Sequence, residues 1–183
     1  MIELLRKNPL VKFLLIALVL YLSWYLIYES FIHHPRTDFD RYLSIALVHS
    51  AEGLLYLFGH NAIPNYDFVE VTIKLHDSPL NGVWVGPQCN GVELFALFGI
   101  YVIAFPGKWR TKLWFIPIGI VLIHIMNTIR IAALTVIERD APETLDFNHN
   151  YTFEIIVYGF VFFLWYLWTV KYSGLKFKAD EQK

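Results

Sequence analysis

Four long apolar runs are the feature that most constrains the fold of this chain. They are distributed over the whole 183 residues and lie at residues 10–28, 89–106, 113–137 and 151–170. A helix needs about 20 residues to cross a hydrocarbon core of about 30 Å, and each run is close to that length. The first run lacks the small-x-small cleavage site of a signal peptide, so we expect it to be a retained anchor. The sequence therefore predicts an all-α integral membrane helical bundle with about four full spans.

Composition agrees with a membrane protein and disfavours other classes. Hydrophobic residues make up 56% of the chain and charged residues only 17%, whereas a soluble domain carries about a quarter charged residues. A net charge of −1 disfavours a nucleic-acid-binding protein, which needs a basic face. The single cysteine, Cys89, excludes an internal disulfide, so this thiol is inert, pairs with another chain or is chemically active.

Basic residues in three places predict the orientation of the chain. Lys and Arg collect at the N-terminus, after Pro106 and at the C-terminus, where residues 174–183 form a polar cytoplasmic tail. An even number of crossings must then separate these flanks, which excludes residues 42–59, a further apolar segment, as a full span. We expect that segment to be an interfacial or re-entrant helix on the outer face; five spans with one basic flank outside is the alternative. In either case residues 1–173 form a single transmembrane domain.

A polar interval between the first two runs has the pattern of a β-hairpin. Apolar and polar side chains alternate over residues 69–75, which indicates a half-buried strand. Turn formers that include an Asn-Gly pair follow, and residues 83–85 can return as a second strand. The sequence predicts a small extracytoplasmic hairpin over residues 65–88 that leads directly into Cys89.

Three residues with chemically useful side chains fall at one level of this topology. Cys89 begins the second span, Arg130 lies about 10 Å below the outer end of the third, and His149 just precedes the fourth. A thiol attacks acyl groups as the thiolate, so an active Cys89 is predicted to have a pKa well below about 8.5. His149 could take the thiol proton and return it to a leaving amine. Arg130 stays protonated, and it could stabilise the thiolate or an oxyanion, or bind a substrate carbonyl or carboxylate.

Other polar residues near these three are candidates for supporting roles. Asn127 lies one turn before the arginine and could orient it or donate to an oxyanion, as could the backbone amides of Asn90 and Gly91. Glu93 and His124 are interpreted as a buried polar pair, with a supplementary role in the site as the alternative. No metal-ligand spacing occurs, and neither a metal nor a cofactor is expected.

Each of the three principal residues also has a purely structural interpretation. A lone cysteine in a membrane helix is usually a small inert apolar residue, and an arginine near the end of a span often anchors it at the headgroups. A non-enzymatic membrane assembly or accessory protein, in which Cys89 is incidental and Arg130 pairs with a partner helix, is therefore the alternative to an enzyme. A small transporter or ion pathway that uses Glu93, His124 and Arg130 is a third class, which the small number of spans and the lack of an inverted repeat disfavour.

Three short motifs resemble the exosortase/archaeosortase family. They are the Cys-Asn-Gly at 89–91, the segment Asn-Thr-Ile-Arg-Ile-Ala at 127–132, and His149 ahead of Tyr-Gly at 158–159. The likeness covers roughly residues 86–172. Within the family, these motifs most resemble the short Bacteroidetes-type exosortases. It implies a membrane-embedded cysteine protease/transpeptidase of the bacterial inner membrane with its active site facing the periplasm.

The same resemblance implies residue roles and partners. Cys89 corresponds to the nucleophile, Arg130 to the family arginine and His149 to the third catalytic residue, which is histidine in exosortases and arginine in archaeosortases. The implied substrates are exported proteins with a C-terminal sorting signal, made of a short motif, a hydrophobic helix and a basic tail. Lipids and a lipid-linked or polysaccharide surface acceptor are the other expected partners, and nucleic acid is not. Longer family members have more spans, so cleavage is implied more directly than transfer.

Overall fold

The computed structural model describes residues 8–32, 38–67 and 70–173, and the predicted tail at 174–183 lies outside them. The principal helices in the described part of the chain are α1 (Pro9–Ile27), α2 (Phe39–Leu57), α3 (Val92–Ala104), α4 (Trp109–Asp140) and α5 (Phe153–Leu167). Two of them continue as π-helical turns, at Tyr28–Ile32 after α1 and at Trp168–Tyr172 after α5. Between α4 and α5 the chain makes three short turns: Pro142–Thr144, Leu145–Phe147 and Asn148–Thr152.

Three helical segments of the described residues are long and apolar enough to cross a membrane: Pro9–Ser30, Trp109–Asp140 and Pro142–Tyr172. The helix α3 is as apolar, but its 13 residues extend only about 20 Å. These segments confirm the predicted fold class, a helical membrane bundle of about four spans. The helix α2 is not in this group, and its predicted position at the outer face remains a prediction.

Local sequence explains where the helices of the bundle begin and end. The side chain of Asn8 accepts a hydrogen bond from the Leu10 N–H, and Pro9 occupies the first helical position of α1, where its missing N–H costs nothing. The helix α3 ends before a Pro-Gly pair, and Lys112 of α4 donates from Nζ to the carbonyls of Ile103 and Phe105 at 2.7 and 2.8 Å. These bonds satisfy carbonyl groups that the end of α3 leaves free.

A three-stranded antiparallel sheet precedes α3, with β1 (Ala62–Tyr66), β2 (Val71–Leu75) and β3 (Val83–Trp84) in that spatial order. The predicted hairpin corresponds to β2 and β3, and the buried side of β2 consists of the three apolar residues of the alternating pattern. The sequence did not indicate β1, because Pro64 and Asn65 are both poor strand residues. Pro64 is tolerated because β1 is an edge strand.

Buried side chains form two apolar clusters, one in the bundle and one beneath the sheet. The bundle cluster joins α3, α4 and α5 through residues that include Phe98, Val102, Phe115, Ile123, Val161 and Trp168. The cluster beneath the sheet joins α2, the sheet and the last third of α4 through residues that include Leu47, Val48, Ile73, Leu75, Cys89, Ile131 and Leu134. Cys89 therefore lies where α2 and the sheet meet the bundle.

Glu138 connects α4 to the sheet. Its carboxylate is 2% exposed and accepts hydrogen bonds from the Ser78 hydroxyl and the Gly82 N–H, both at 2.8 Å. Gly82 has a φ of +91°, and a Cβ there would lie 2.7 Å from the carbonyl oxygen of Ile73, so only glycine fits this turn. The turn between β2 and β3 is thus attached to the same helix that carries Arg130.

Candidate active site

Cys89 lies in the turn between β3 and α3, three residues before the helix begins. Its N–H donates to the carbonyl of Gly86 at 2.9 Å, and its own carbonyl accepts from Nδ2 of Asn127 on α4 at 2.7 Å. Gly91 then takes the left-handed conformation with a φ of +85°, and a Cβ at this position would lie 3.1 Å from the same Nδ2. The Cys-Asn-Gly motif is therefore a helix-initiating turn held against α4.

The side chain of Asn90 attaches this turn to α1 and α2. Asn90 is 1% exposed; its Oδ1 accepts from the Val92 N–H at 3.0 Å and its Nδ2 donates to Oδ1 of Asp40 on α2 at 2.8 Å. The carboxylate of Asp40 also accepts from the hydroxyl of Tyr28, just beyond α1, at 2.9 and 3.0 Å. Two further helices thus hold the turn between β3 and α3, named here the nucleophile turn for the predicted role of Cys89, through one buried, hydrogen-bonded carboxylate.

His149 is the side chain that faces the thiol. Its Nε2 lies 3.4 Å from Sγ of Cys89. The turn Asn148–Thr152, which carries His149, thus contacts the turn that precedes α3. The opposite ring nitrogen, Nδ1, lies 3.0 Å from Oδ1 of Asn150. The backbone carbonyl of His149 accepts from Nη2 of Arg130 at 3.4 Å. The structure therefore brings the three predicted catalytic residues into one place.

Arg130 is buried beside this pair, with 6% of its surface exposed. Its Nε is buried and has no hydrogen-bond partner among the described residues. A small cavity of about 30 Å³, room for about one water, is bordered by Arg130 and by Gln88, Gly91, Glu93, Glu154 and Tyr158, among others. A guanidinium that borders a cavity is suited to bind an anionic or carbonyl oxygen there.

Burial raises the pKa of the Cys89 thiol, contrary to the low pKa that the sequence predicted for an active nucleophile. Desolvation is the largest cause; Arg130 and a hydrogen bond with the backbone of Gly86 lower the pKa in part, and Glu154 raises it. The prediction took account of the neighbouring cation but not of the apolar cluster around the sulfur. In the resting protein the thiol is therefore neutral, and a base must remove its proton.

The predicted supporting residues fall into two groups. Asn127 donates a hydrogen bond to the carbonyl of Cys89 instead of orienting Arg130. Among the described residues, the backbone amides of Asn90 and Gly91 donate no hydrogen bond, so both remain available to donate to an oxyanion. Glu93 and His124 are not brought together: Nε2 of His124 lies 3.1 Å from the Ser50 hydroxyl on α2.

A larger cavity of about 350 Å³ opens on the other side of the nucleophile turn. Its lining comes from the end of α1, from β3, from the turn and from the first turn of α3, and consists of Tyr28, Glu29, Trp84, Pro87, Gln88 and Glu93. Pro87 and Gln88 directly precede Cys89 and line both cavities. A ligand in the larger cavity would therefore lie next to the nucleophile turn.

Sequence reasoning did not identify Asp40 or Asn150. Asp40 contacts Tyr28 and Asn90, which lie 12 and 50 residues away in the chain, so no local pattern points to it. Asn150 had a usable signal, because an amide side chain directly follows the candidate histidine.

The comparisons with known proteins give one family. The family model described as transmembrane exosortase matches residues 2–172 of the chain. No curated protein and no solved structure matches it.

Proposed function

The chain belongs to the transmembrane exosortase family, and from this premise we propose that it is a membrane-embedded cysteine protease/transpeptidase that cleaves C-terminal sorting signals of exported proteins. The family indicates a cysteine-peptidase type of membrane enzyme with a role in protein sorting. The observation that carries the finer proposal is the 3.4 Å distance from Sγ of Cys89 to Nε2 of His149. A thiol within reach of an imidazole is the arrangement that nucleophilic acyl transfer requires.

In the first half of the proposed reaction, the Cys89 sulfur attacks the scissile carbonyl carbon while His149 takes the thiol proton at Nε2. The C–S bond forms, the C–N bond breaks, and His149 passes the proton to the departing amine. The amides of Asn90 and Gly91 and the guanidinium of Arg130 are the donors available to the negative oxygen of the intermediate. Because the resting thiol is neutral, His149 must take its proton for the sulfur to become nucleophilic.

In the second half, an amine or a water molecule attacks the acyl-enzyme. The nitrogen or oxygen of this nucleophile bonds to the carbonyl carbon while His149 takes its proton; the C–S bond then breaks, and His149 returns the proton to the sulfur. An amine carried by a lipid-linked or polysaccharide acceptor would complete a transfer reaction, whereas water would complete hydrolysis. The cavity of about 350 Å³ beside the nucleophile turn offers space for the attacking group.

The proposed location of this chemistry is the outer boundary of a bacterial inner membrane. Counting about 20 residues, or about 30 Å, from Trp109 at the start of α4 reaches Ile129, next to Arg130. The opposite end of the same helix follows a basic flank that begins at Lys108, which favours the cytoplasm. This arrangement supports an active site that faces the periplasm.

A groove in the bundle supports lateral entry of a substrate helix. It has a volume of about 300 Å³ and is lined by apolar and aromatic residues of α1, α3 and α5: Ala17, Leu18, Tyr21, Leu97, Ile100, Tyr101 and Trp165. Leu97 and Tyr101 lie four and eight residues after Glu93, on one face of α3, and Glu93 lines the cavity next to the nucleophile. A hydrophobic substrate helix in the groove would place its preceding motif near Cys89.

Processing of a tagged substrate tests the proposal. The substrate is an exported reporter with a C-terminal motif, hydrophobic helix and basic tail from a protein encoded alongside the enzyme, and its shortening is followed by immunoblotting. We expect Cys89→Ala and His149→Ala to abolish processing while the protein stays at wild-type abundance in the membrane. Thr128→Ala, a change at a buried residue of α4, is the control and should retain processing. Full processing by Cys89→Ala at normal abundance would contradict the proposal, and loss of the protein from the membrane would favour a structural role.

A further inference from the structure

We infer that Asn150 is the positioning residue of His149, holding its ring in the tautomer and orientation that accept the proton of Cys89. This inference rests on the proposed function, because it assigns to His149 the role of base toward the thiol. It adds a residue that none of the sequence motifs contains.

Each nitrogen of the His149 ring has a different neighbour. Nδ1 lies 3.0 Å from Oδ1 of Asn150, and Nε2 lies 3.4 Å from Sγ of Cys89. A neutral imidazole carries a single proton, and an amide oxygen can only accept. With the Asn150 amide oriented so that Oδ1 faces the ring, the ring proton lies on Nδ1, which leaves the lone pair of Nε2 directed at the thiol. In the other tautomer two lone pairs would face each other at Nδ1, and Nε2 could not act as a base.

The other contacts of this turn hold its backbone and not the ring. Nη2 of Arg130 donates to the carbonyl of His149, and Nδ2 of Asn148 donates to the carbonyl of Thr144 at 3.0 Å. Rotation of the imidazole about its side-chain bonds is restricted at Nδ1 by Asn150 and at Nε2 by Cys89. Removing Asn150 would therefore free the ring while the backbone of the turn keeps its hydrogen bonds.

The same bond becomes stronger during the reaction. When His149 takes the thiol proton, the donor at Nδ1 belongs to a charged imidazolium, and a hydrogen bond from a charged donor is roughly twice as strong as a neutral one. Asn150 is exposed and His149 half-buried, so a bound substrate that covers them would strengthen the bond further. Asn150 thus favours the state in which the proton has left the sulfur.

The pH dependence of Cys89 alkylation tests this role without any substrate. Iodoacetamide reacts with the thiolate, so the rate of its reaction with purified full-length protein reports how readily His149 accepts the proton. We expect Asn150→Ala to lower this rate at neutral pH by about three- to tenfold and to move the midpoint of the profile to higher pH. We expect Asn150→Asp to move the midpoint to lower pH, because a carboxylate at Nδ1 stabilises the imidazolium. The charged neighbours that act on the thiol, Arg130 of α4 and Glu154 of α5, are the same in all of these variants.

Asn148→Ala is the matched control, because Asn148 is the same residue type in the same turn and its amide bonds to backbone and not to the ring. It should leave the midpoint unchanged, and in a His149→Ala background the Asn150 substitutions should have no further effect. Equal midpoints for wild type, Asn150→Ala and Asn150→Asp would overturn the inference, as would the same shift in Asn148→Ala. Failure of the wild type to process a tagged substrate would defeat the proposed proteolysis but would leave these shifts in place.

Discussion

The charges around Cys89 act in opposite directions on a thiol that burial keeps protonated. Arg130 lowers the pKa of Cys89 and Glu154 raises it. Each has a smaller effect on this pKa than the desolvation of the sulfur. The arginine therefore has two effects at this site: it favours the thiolate, and it holds the backbone of His149. The opposing influences of Arg130 and Glu154 on the thiol pKa can be tested by neutralising each charge in turn.

Neutralising the two charges should move the reactivity of Cys89 in opposite directions. Arg130→Gln removes the influence that lowers the thiol pKa, so the midpoint of alkylation by iodoacetamide should move to higher pH. Glu154→Gln removes an influence that raises the thiol pKa, so its midpoint should move to lower pH. The measurement is the alkylation rate of purified protein from about pH 6 to about pH 10. Shifts of the same sign in both variants would contradict this assignment.

Gly91 is the residue of the Cys-Asn-Gly motif whose left-handed backbone conformation disfavours any residue other than glycine. Gly91→Ala would force a left-handed conformation on an L-residue, at a cost of about 1–2 kcal/mol, and would press a methyl group toward Asn127. We expect lower stability of the folded protein toward SDS in mild detergent, together with slower processing. Gly99→Ala, within the helix α3 that follows Gly91 and with open space where its Cβ would lie, is the control and should not be destabilised. Equal behaviour of the two variants would argue against strain at Gly91.

At the scale of elements, the position of the nucleophile turn depends on the sheet and on its attachment to α4. The turn follows β3 directly, and the hydrogen bonds of Glu138 hold the β2–β3 connection against α4. The sheet is therefore part of the support for the candidate site, although it contributes none of the three proposed catalytic residues.

Glu138→Ala should loosen this support. It leaves the buried Ser78 hydroxyl and the Gly82 amide without their acceptor, at a cost of about 1–3 kcal/mol. We expect lower resistance to SDS-induced unfolding and reduced processing, both measured against Arg139→Ala. The Arg139 side chain points to the surface carboxylates of Asp77 and Asp140, so its removal should have a smaller effect. An unchanged unfolding midpoint in Glu138→Ala would show that the sheet does not depend on this carboxylate.

The elements differ in how well the sequence indicates them. The helices of the bundle follow from long apolar runs, and β2 follows from its alternating pattern, because both signals are local and periodic. The strand β1 does not, because Pro64 and Asn65 hide it and only pairing with β2 makes it a strand. The sequence also did not indicate how short α3 is. The apolar run begins at residue 89, but the helix itself begins only at Val92, because the first three residues of the run belong to a turn.

At the scale of the whole molecule, the proposed orientation in the membrane places the basic connection between α3 and α4 inside and the sheet outside. Single cysteines in a Cys89→Ser background test this directly. We expect Lys108→Cys to react with a membrane-impermeant maleimide only after the cells are permeabilised, and Asp77→Cys to react in intact spheroplasts. Both positions are exposed, so access in the folded protein does not limit the reaction. The reverse pattern would require the opposite orientation.

Hydropathy and the spacing of basic residues were enough to recognise a membrane bundle, and three short motifs were enough to select Cys89, Arg130 and His149. These signals are carried by residues close together in the chain, so they can be found before any folding is considered. The contacts of Asp40 with Asn90 and of His149 with the thiol join residues 50 and 60 positions apart, and the desolvation of the sulfur comes from packing of α2, the sheet and α4. Such partners, and the neutral resting state of Cys89 that follows from them, depend on how distant segments meet in three dimensions.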